Sequence, residues 1–278
     1  MNVAPEPDLT IDPEASCRIL EGFLASEIRR TGARRAVFGL SGGLDSAVVA
    51  HLAVRALGPA AVTPVLLPYR SSSAASVHDA EKIVAQLGVV AERVDISPIV
   101  DGFLATTPSP GRLRLGNAMA RARMIVLYDR SAELGALVVG TSNKTELLLG
   151  YGTLHGDLAS ALNPLGDLYK TQVRQLAAWL DVPASIRRKP PSADLWPDQS
   201  DEDELGFSYG DVDQVLALLV DGRLGRDAIV KRGWDRKFVD RVERLLVRMQ
   251  FKRRPPVIAK VSTRSLGWDF RYPRDWRT

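Results

Sequence analysis

Cysteine is almost missing from this chain. Cys17 stands alone, which excludes an internal disulfide, a cysteine-pair metal site and a cysteine relay. It falls in an amphipathic N-terminal stretch and is expected to be a small buried hydrophobe. Histidine is nearly as scarce: only His51, His78 and His155 occur, and none follows position 155. No apolar run approaches the roughly 20 residues of a membrane span, and no secretory pattern begins the chain, so the expected compartment is the cytoplasm. Blocks of one charge are absent as well. The 37 Lys and Arg residues are interspersed among 33 Asp and Glu, and the net charge of +4 suits a small anionic substrate better than nucleic acid, which is not expected as a partner. No internal repeat or low-complexity block occurs.

What remains is 278 residues, 45% of them hydrophobic, enough to bury a substantial core. The rest is organised around residues 35–50, RAVFGLSGGLDSAVVA. A strand over 36–40 runs into a tight loop, Gly39 and Leu40 through Ser41, Gly42, Gly43, Leu44, Asp45 and Ser46, and then into a helix reaching about 57. Glycines at 42 and 43 let the backbone approach a ligand closely, and the first amides of the following helix lack intrahelical partners, so the loop reads as an anion cradle. Ser41 and Ser46 add hydroxyl donors. A carboxylate beside phosphate is repulsive unless a cation bridges them, so Asp45 implies polyphosphate with Mg²⁺. No Gly-Lys-Ser/Thr ends the loop, so it is not a Walker A loop. Residues 39–43 do fit G-x-S-x-G, the elbow of α/β hydrolases, but the late histidine that such a triad needs is missing.

Along the chain, periodicity predicts a loose lead-in over 1–13, helices over 14–30 and 75–87, and strands over 62–67, 89–94 and 136–139. A mobile loop is expected at 106–116, a long helix at 117–134, and further helices at 168–180, 211–220 and 235–249. Arg121 and Arg123 are expected on different faces of the long helix. The acidic run 198–204 reads as a solvated loop, part of a lid, and the tail from Phe251 as basic and irregular. Strands separated by helices indicate an α/β fold with a doubly wound, mainly parallel sheet and a helical C-terminal part, whose ligands sit beyond the strands' carboxyl ends. A second glycine-led polar loop, 140–146, follows the last strand, and its Glu146 suits a second oxygen ligand to the metal at Asp45. Lys170, near a helix start, is placed to reach a phosphate.

Residues 41–46 match the SGGxDS signature of the N-type ATP pyrophosphatases, which split ATP into AMP and pyrophosphate to adenylate a carboxylate or carbonyl oxygen. Further elements fall in order: GNxxARxRM at 116–124, GTSNKTE at 140–146, Asn163-Pro164-Leu165, Lys170, KPPSADL at 189–195, QSDE at 199–202, Leu205-Gly206 with Ser208-Tyr209, and FKRRPP at 251–256. Together they resemble the ammonia-dependent NAD synthetases over most of residues 14–260, with 1–13 as lead-in and 261–278 as a tail. The resemblance implies an adenine nucleotide alpha hydrolase-like domain that amidates deamido-NAD with ammonia and ATP through an adenylated intermediate. It places Gly39 to Ser46, Thr141, Lys170 and Ser192 on ATP, Asp45 and Glu146 on Mg²⁺, and Arg121, Phe251 and Lys252 on deamido-NAD. Asp45 and Lys170 would carry the catalysis. It also implies a homodimer whose subunits share the dinucleotide site. Leu154, Ala161 and Phe251 stand where many members carry lysine, aspartate and histidine. Nothing before Ser41 is long enough for a glutaminase, so direct ammonia use is expected. Two other readings stay open: another pyrophosphatase, acting on a different acid or a transfer RNA base, and a non-catalytic adenine-nucleotide sensor. Thiolating RNA enzymes usually need paired cysteines, and a sensor has little need for Asp45, Glu146 and Lys170 together.

Overall fold

A computed structural model describes residues 7–106, 109–196 and 199–265. The expectations for residues 1–6 of the lead-in, 107 and 108 of the loop, 197 and 198 at the acidic run, and 266–278 of the tail lie outside the described residues.

Helix α1 (Pro13–Arg30) opens where the Asp12 carboxylate accepts from the Ala15 amide, with proline in its first turn, and it buries Cys17, Leu24 and Ile28. Strand β1 (Arg35–Gly39) and helix α2 (Leu44–Leu57) follow, then β2 (Val62–Leu66), α3 (Ala74–Leu87) and β3 (Glu92–Arg93). Next come α4 (Ser97–Ala105), α5 (Arg112–Leu134) and β4 (Ala136–Val138). All four strands are parallel, in the order β3-β2-β1-β4, with Ala36 opposite Val62 and Val37 opposite Val138. Ala36, Val37 and Phe38 are all fully buried because helices cover both faces. On one face Ala36 and Phe38 join a core with α1 and α2, while on the other Val37 meets Met119 and Leu127 of α5. The chain builds outward from β1 to β3 and then crosses back to place β4 on the other side of β1. That reversal is a topological switch point, and the loops after β1 and β4 flank it.

The remaining helices are α6 (Lys144–Leu149), α7 (Lys170–Trp179), α8 (Ala184–Arg187), α9 (Asp201–Leu205), α10 (Tyr209–Leu216), α11 (Arg226–Val230) and α12 (Arg236–Arg248). Helix α7 returns to the first core through Val173 and Leu176, whereas α6, α10, α11 and α12 form a separate helical core around Tyr209, Val212, Ile229 and Val239.

Three local expectations need correction, and one helix had no expectation at all. The third strand pairs only through Glu92 and Arg93, because it lies at the sheet edge and Val90 already faces solvent. Helix α4 fills a stretch to which no element was assigned; its one signal is Pro98, at a first-turn position. Helix α5 starts at Arg112, earlier than periodicity placed it, so the preceding loop is shorter. The acidic run is no solvated loop over its described part. Ser200 accepts from the Asp203 amide, α9 follows, and Asp201 is buried.

Helix α2 carries one polar group into the core. The Nδ1 of buried His51 lies 2.8 Å from the Ala47 carbonyl and donates to it, which leaves Nε2 as an acceptor with no partner among the described residues. Burial holds the His51 pKa below its ordinary value, with nearby Arg55 acting the same way; the Ala47 bond and Asp181 oppose them. The unfolded chain therefore takes up this proton more readily than the fold does. The stability due to neutral His51 is complete above the unfolded value of about 6.5 and is lost as the pH falls below it. The melting temperature is expected to fall more steeply between about pH 7 and 5 than in a His51→Leu variant. Equal slopes would remove His51 as the cause.

Candidate active site

The loop after β1 is held by its own hydroxyls. Ser46 Oγ donates to the Gly43 carbonyl at 3.1 Å and accepts from the Ser41 amide at 3.2 Å; Ser41 Oγ lies 3.0 Å from Ser46 Oγ and accepts from the Gly43 amide at 3.2 Å. With the Ser46 proton spent on Gly43, the Ser41 proton is directed at Ser46. The two hydroxyls therefore shape the cradle rather than face a ligand freely, and Ser41 has no activating base. His78 and His155 are exposed and His51 is buried in the core, so the hydrolase reading finds no triad among the described residues. Gly43 caps α2 with no side-chain bond, which leaves the first-turn amides open to an anion.

Three elements meet over this loop. Asn143 begins α6 with a capping box: its Oδ1 accepts from the Glu146 amide at 3.0 Å and Glu146 Oε2 accepts from the Asn143 amide at 3.2 Å. The same Asn143 donates through Nδ2 to Asp45 Oδ1 at 3.0 Å. Lys170, the first residue of α7, is buried with its ammonium between Asp45 Oδ2, a close contact, and Glu146 Oε1 at 3.4 Å, and 5.2 Å above the Tyr209 ring. Burial alone would lower the Lys170 pKa, but Asp45 and Glu146 outweigh it and hold the ammonium charged. Burial raises the Glu146 carboxyl; Lys170 opposes this, and the negative charges of Asp45 and Asp201 add to it. The corner thus crowds three carboxyl groups around one ammonium, and this crowding favours the protonated form of Glu146 unless a further cation enters.

These groups open on a cavity of about 760 Å³. Among the residues expected on ATP, Gly39, Leu40, Ser41, Gly43, Leu44, Asp45, Ser46, Thr141, Lys170 and Ser192 line it, and Gly42 is buried behind the wall. Glu146 and Lys252 also line it, the latter donating from Nζ to the Gly150 and Gly152 carbonyls, both at 2.7 Å. Arg121 is exposed outside the cavity and donates to the Leu154 carbonyl, and Phe251 is exposed too.

Sequence reasoning missed three groups here. Arg123 reaches the cavity from the opposite face of α5 to Arg121, and its Nε donates to the Leu67 carbonyl at 3.1 Å. Burial lowers its pKa, with the charges of Asp194 and Asp157 opposing this. Asp201 accepts from Tyr151 at 2.9 Å and Tyr209 at 3.3 Å. Asp213, fully buried, joins α10 to α6 and α7. For Arg123 the spacing from Arg121 was the available signal, for Asp201 its place in the QSDE element at 199–202, and for Asp213 there was none.

Among the described residues, no three Asp, Glu, His or Cys side chains form a self-sufficient metal cage. Two converging carboxyl groups in this crowded corner nonetheless fit a hard divalent ion that completes its shell with substrate oxygens and water.

The profile of the NAD synthase family matches residues 16–256. An NH₃-dependent NAD(+) synthetase of Chlorobium phaeobacteroides is 57% identical over 259 residues, covering 93% of this chain and 94% of the relative. Among solved structures, NMN synthetase from Francisella tularensis aligns with a TM-score of 0.78 at 33% identity, over 90% of this chain and 99% of its own. NH₃-dependent NAD synthetase from Campylobacter jejuni aligns at 0.77 and 34%, over 90% and 100%. The likeness runs through sequence and fold over nearly the whole chain, and the chain belongs to the NAD synthase family.

Proposed function

We propose that the chain amidates deamido-NAD with ammonia at the expense of ATP, giving NAD, AMP and pyrophosphate; it is a ligase that forms a C–N bond. The observation that carries this is the Lys170 ammonium held between Asp45 and Glu146 beside the uncapped start of α2. Such a corner grips a polyphosphate at the bond to be broken. In the first step a nicotinate carboxylate oxygen bonds to the α-phosphorus while the bond to pyrophosphate breaks, and the electron pair leaves on pyrophosphate. In the second, the ammonia nitrogen attacks the adenylated carbonyl, AMP departs with its electron pair, and the nitrogen releases a proton.

The α2 amides and Lys170 hold the phosphates and offset the charge that builds on the leaving group. Asp45 and Glu146 would hold Mg²⁺, which when bound neutralises triphosphate charge as a Lewis acid. Thr141 and Ser192 flank ATP from the cavity wall, and Arg123 offers its terminal nitrogens to a substrate anion. The wall segment around Ser192 is tied down by Asp194, which accepts from the Ser73 amide at 3.1 Å, and it keeps water from the adenylated acid. Arg121, Phe251 and Lys252 are assigned to deamido-NAD. Arg121 and Phe251 are exposed, which supports a site completed by a second subunit of a homodimer. Residues 14–260 are taken as one catalytic unit. No helix among the described residues is long and apolar enough to cross a membrane, and a cytoplasmic location is part of this reading.

A second reading concerns the acid. The fold aligns as well with an NMN synthetase as with a dinucleotide enzyme, and Leu154, Ala161 and Phe251 depart from the usual dinucleotide contacts. Purified protein with ATP, Mg²⁺ and ammonium, given either deamido-NAD or nicotinate mononucleotide, separates the two. Equal amounts of NAD and AMP are expected from the dinucleotide. AMP and NMN from the mononucleotide, without NAD from the other acid, would replace the first reading with the second.

A further inference from the structure

Lys170 and Glu146 sit on different helices, α7 and α6, yet must meet within one hydrogen-bonding distance. What fixes the two helices to each other lies one layer behind the cavity. Asp213 of α10 is fully buried, accepts from Thr145 Oγ1 at 2.5 Å through Oδ1, and accepts from the Thr171 amide at 2.8 Å through Oδ2. Thr145 Oγ1 in turn accepts from the Lys170 amide at 3.0 Å. Thr145 precedes Glu146 and Thr171 follows Lys170, so each oxygen of Asp213 is tied to the residue next to one member of the site.

The direction of these bonds is determined. Backbone amides can only donate, so Thr145 receives the Lys170 amide on a lone pair and must turn its single proton toward Asp213. The first two amides of α7, orphaned by helix geometry, are thereby satisfied by one hydroxyl and one carboxylate. The carboxylate also lies at the positive end of the α7 dipole, which favours its charge. A buried carboxylate is costly unless its oxygens are engaged. This one is engaged by the two helices whose relative position sets the Lys170–Glu146 pair.

We propose that Asp213, acting through Thr145, is a positioning residue: it locks α6 and α7 in the register that places Lys170 between Asp45 and Glu146. It touches no substrate, and its effect falls on the step those groups serve. The proposal rests on the amidation reading. Displacement of reacting groups by about an ångström costs on the order of 10²-fold in rate.

The test compares Thr145→Ser, Thr145→Val and Asp213→Asn with the parent, measuring kcat, KM for each nucleotide and the melting temperature. The serine variant keeps the relay hydroxyl and is expected to retain most of the parental kcat. The valine variant fills the same space without the relay, and is expected to lose about 10- to 100-fold in kcat with little change in the KM for the dinucleotide. Asp213→Asn presents an amide where two acceptors are needed and is expected to fall in the same range. If Thr145→Val, corrected for its folded fraction, matched the parent, or if the serine variant lost as much as the valine one, the positioning role would be overturned. Should Asp213→Asn fail to fold, the Thr145 pair alone decides. Failure of the parent itself to make NAD would sink the amidation reading instead, which keeps the two outcomes apart.

Discussion

Asp45→Ala is expected to abolish adenylation while leaving the fold in place. Asp45 lies in the first turn of α2, where its carboxylate takes the Asn143 amide on one oxygen and the Lys170 ammonium on the other. Removing it deprives Lys170 of its nearest partner, but Glu146 remains at 3.4 Å, so the buried ammonium is not stranded. The cluster also loses one of three crowded carboxyls, and with it a repulsion that raises the Glu146 pKa. The cost to stability is therefore held to about 2 kcal/mol, below that of breaking an isolated buried pair. The cost to rate is far larger, because the same carboxylate is the one proposed to hold the metal beside the loop after β1. A fall in kcat of about three orders of magnitude is expected, measured as AMP formed with both substrates saturating. Asp45→Asn makes the comparison sharper: an amide oxygen can still accept from Asn143, so shape and that bond survive while the charge is lost. If the asparagine variant kept near-parental activity with its melting curve unchanged, the carboxylate would have no part in holding a cation.

The strand, loop and helix of the proposed phosphate cradle were legible because they are contiguous: a strand, two glycines, two hydroxyls and a helix start within residues 36–50. The parallel sheet was legible for a related reason, since apolar runs alternating with amphipathic helices leave few other architectures. Lys170 is different. Its nearest site partner is 125 residues away in sequence; its place near a helix start allowed a phosphate contact, and the family resemblance assigned it to ATP. Asp201 was misjudged because its neighbours, Glu202, Asp203 and Glu204, make the stretch look solvated. What buries it is a pair of tyrosine hydroxyls, Tyr151 and Tyr209, contributed by separate segments. Asp213 left no trace at all: its partners are a hydroxyl 68 residues away and a backbone amide, and neither leaves a pattern in a single sequence.

Gly42→Ala is expected to be the most damaging single-methyl change in the phosphate loop. Gly42 has φ +77°, a backbone region where an L side chain is strained by about 1 to 2 kcal/mol. A Cβ there would lie 2.0 Å from the Ser76 carbonyl oxygen, 2.9 Å from the Ser76 carbonyl carbon and 3.2 Å from the Ala80 amide nitrogen. All three are backbone atoms of α3, and no rotamer change can move them. Either α3 retreats from the loop or the loop is rebuilt, and both distort the cradle that Ser41 and Ser46 hold. A loss of about 3 kcal/mol or more is expected, seen as a drop in melting temperature on the order of 10 °C, together with loss of ATP binding. The neighbouring Gly43→Ala is the control. Gly43 has φ −88°, and a Cβ there meets only the Ser41 hydroxyl, at 3.3 Å. Its melting temperature should stay within a few degrees of the parent, about 1 kcal/mol, although a methyl facing the cavity weakens phosphate binding. Equal destabilisation by the two alanines would mean that close approach to α3 is not what requires glycine at position 42.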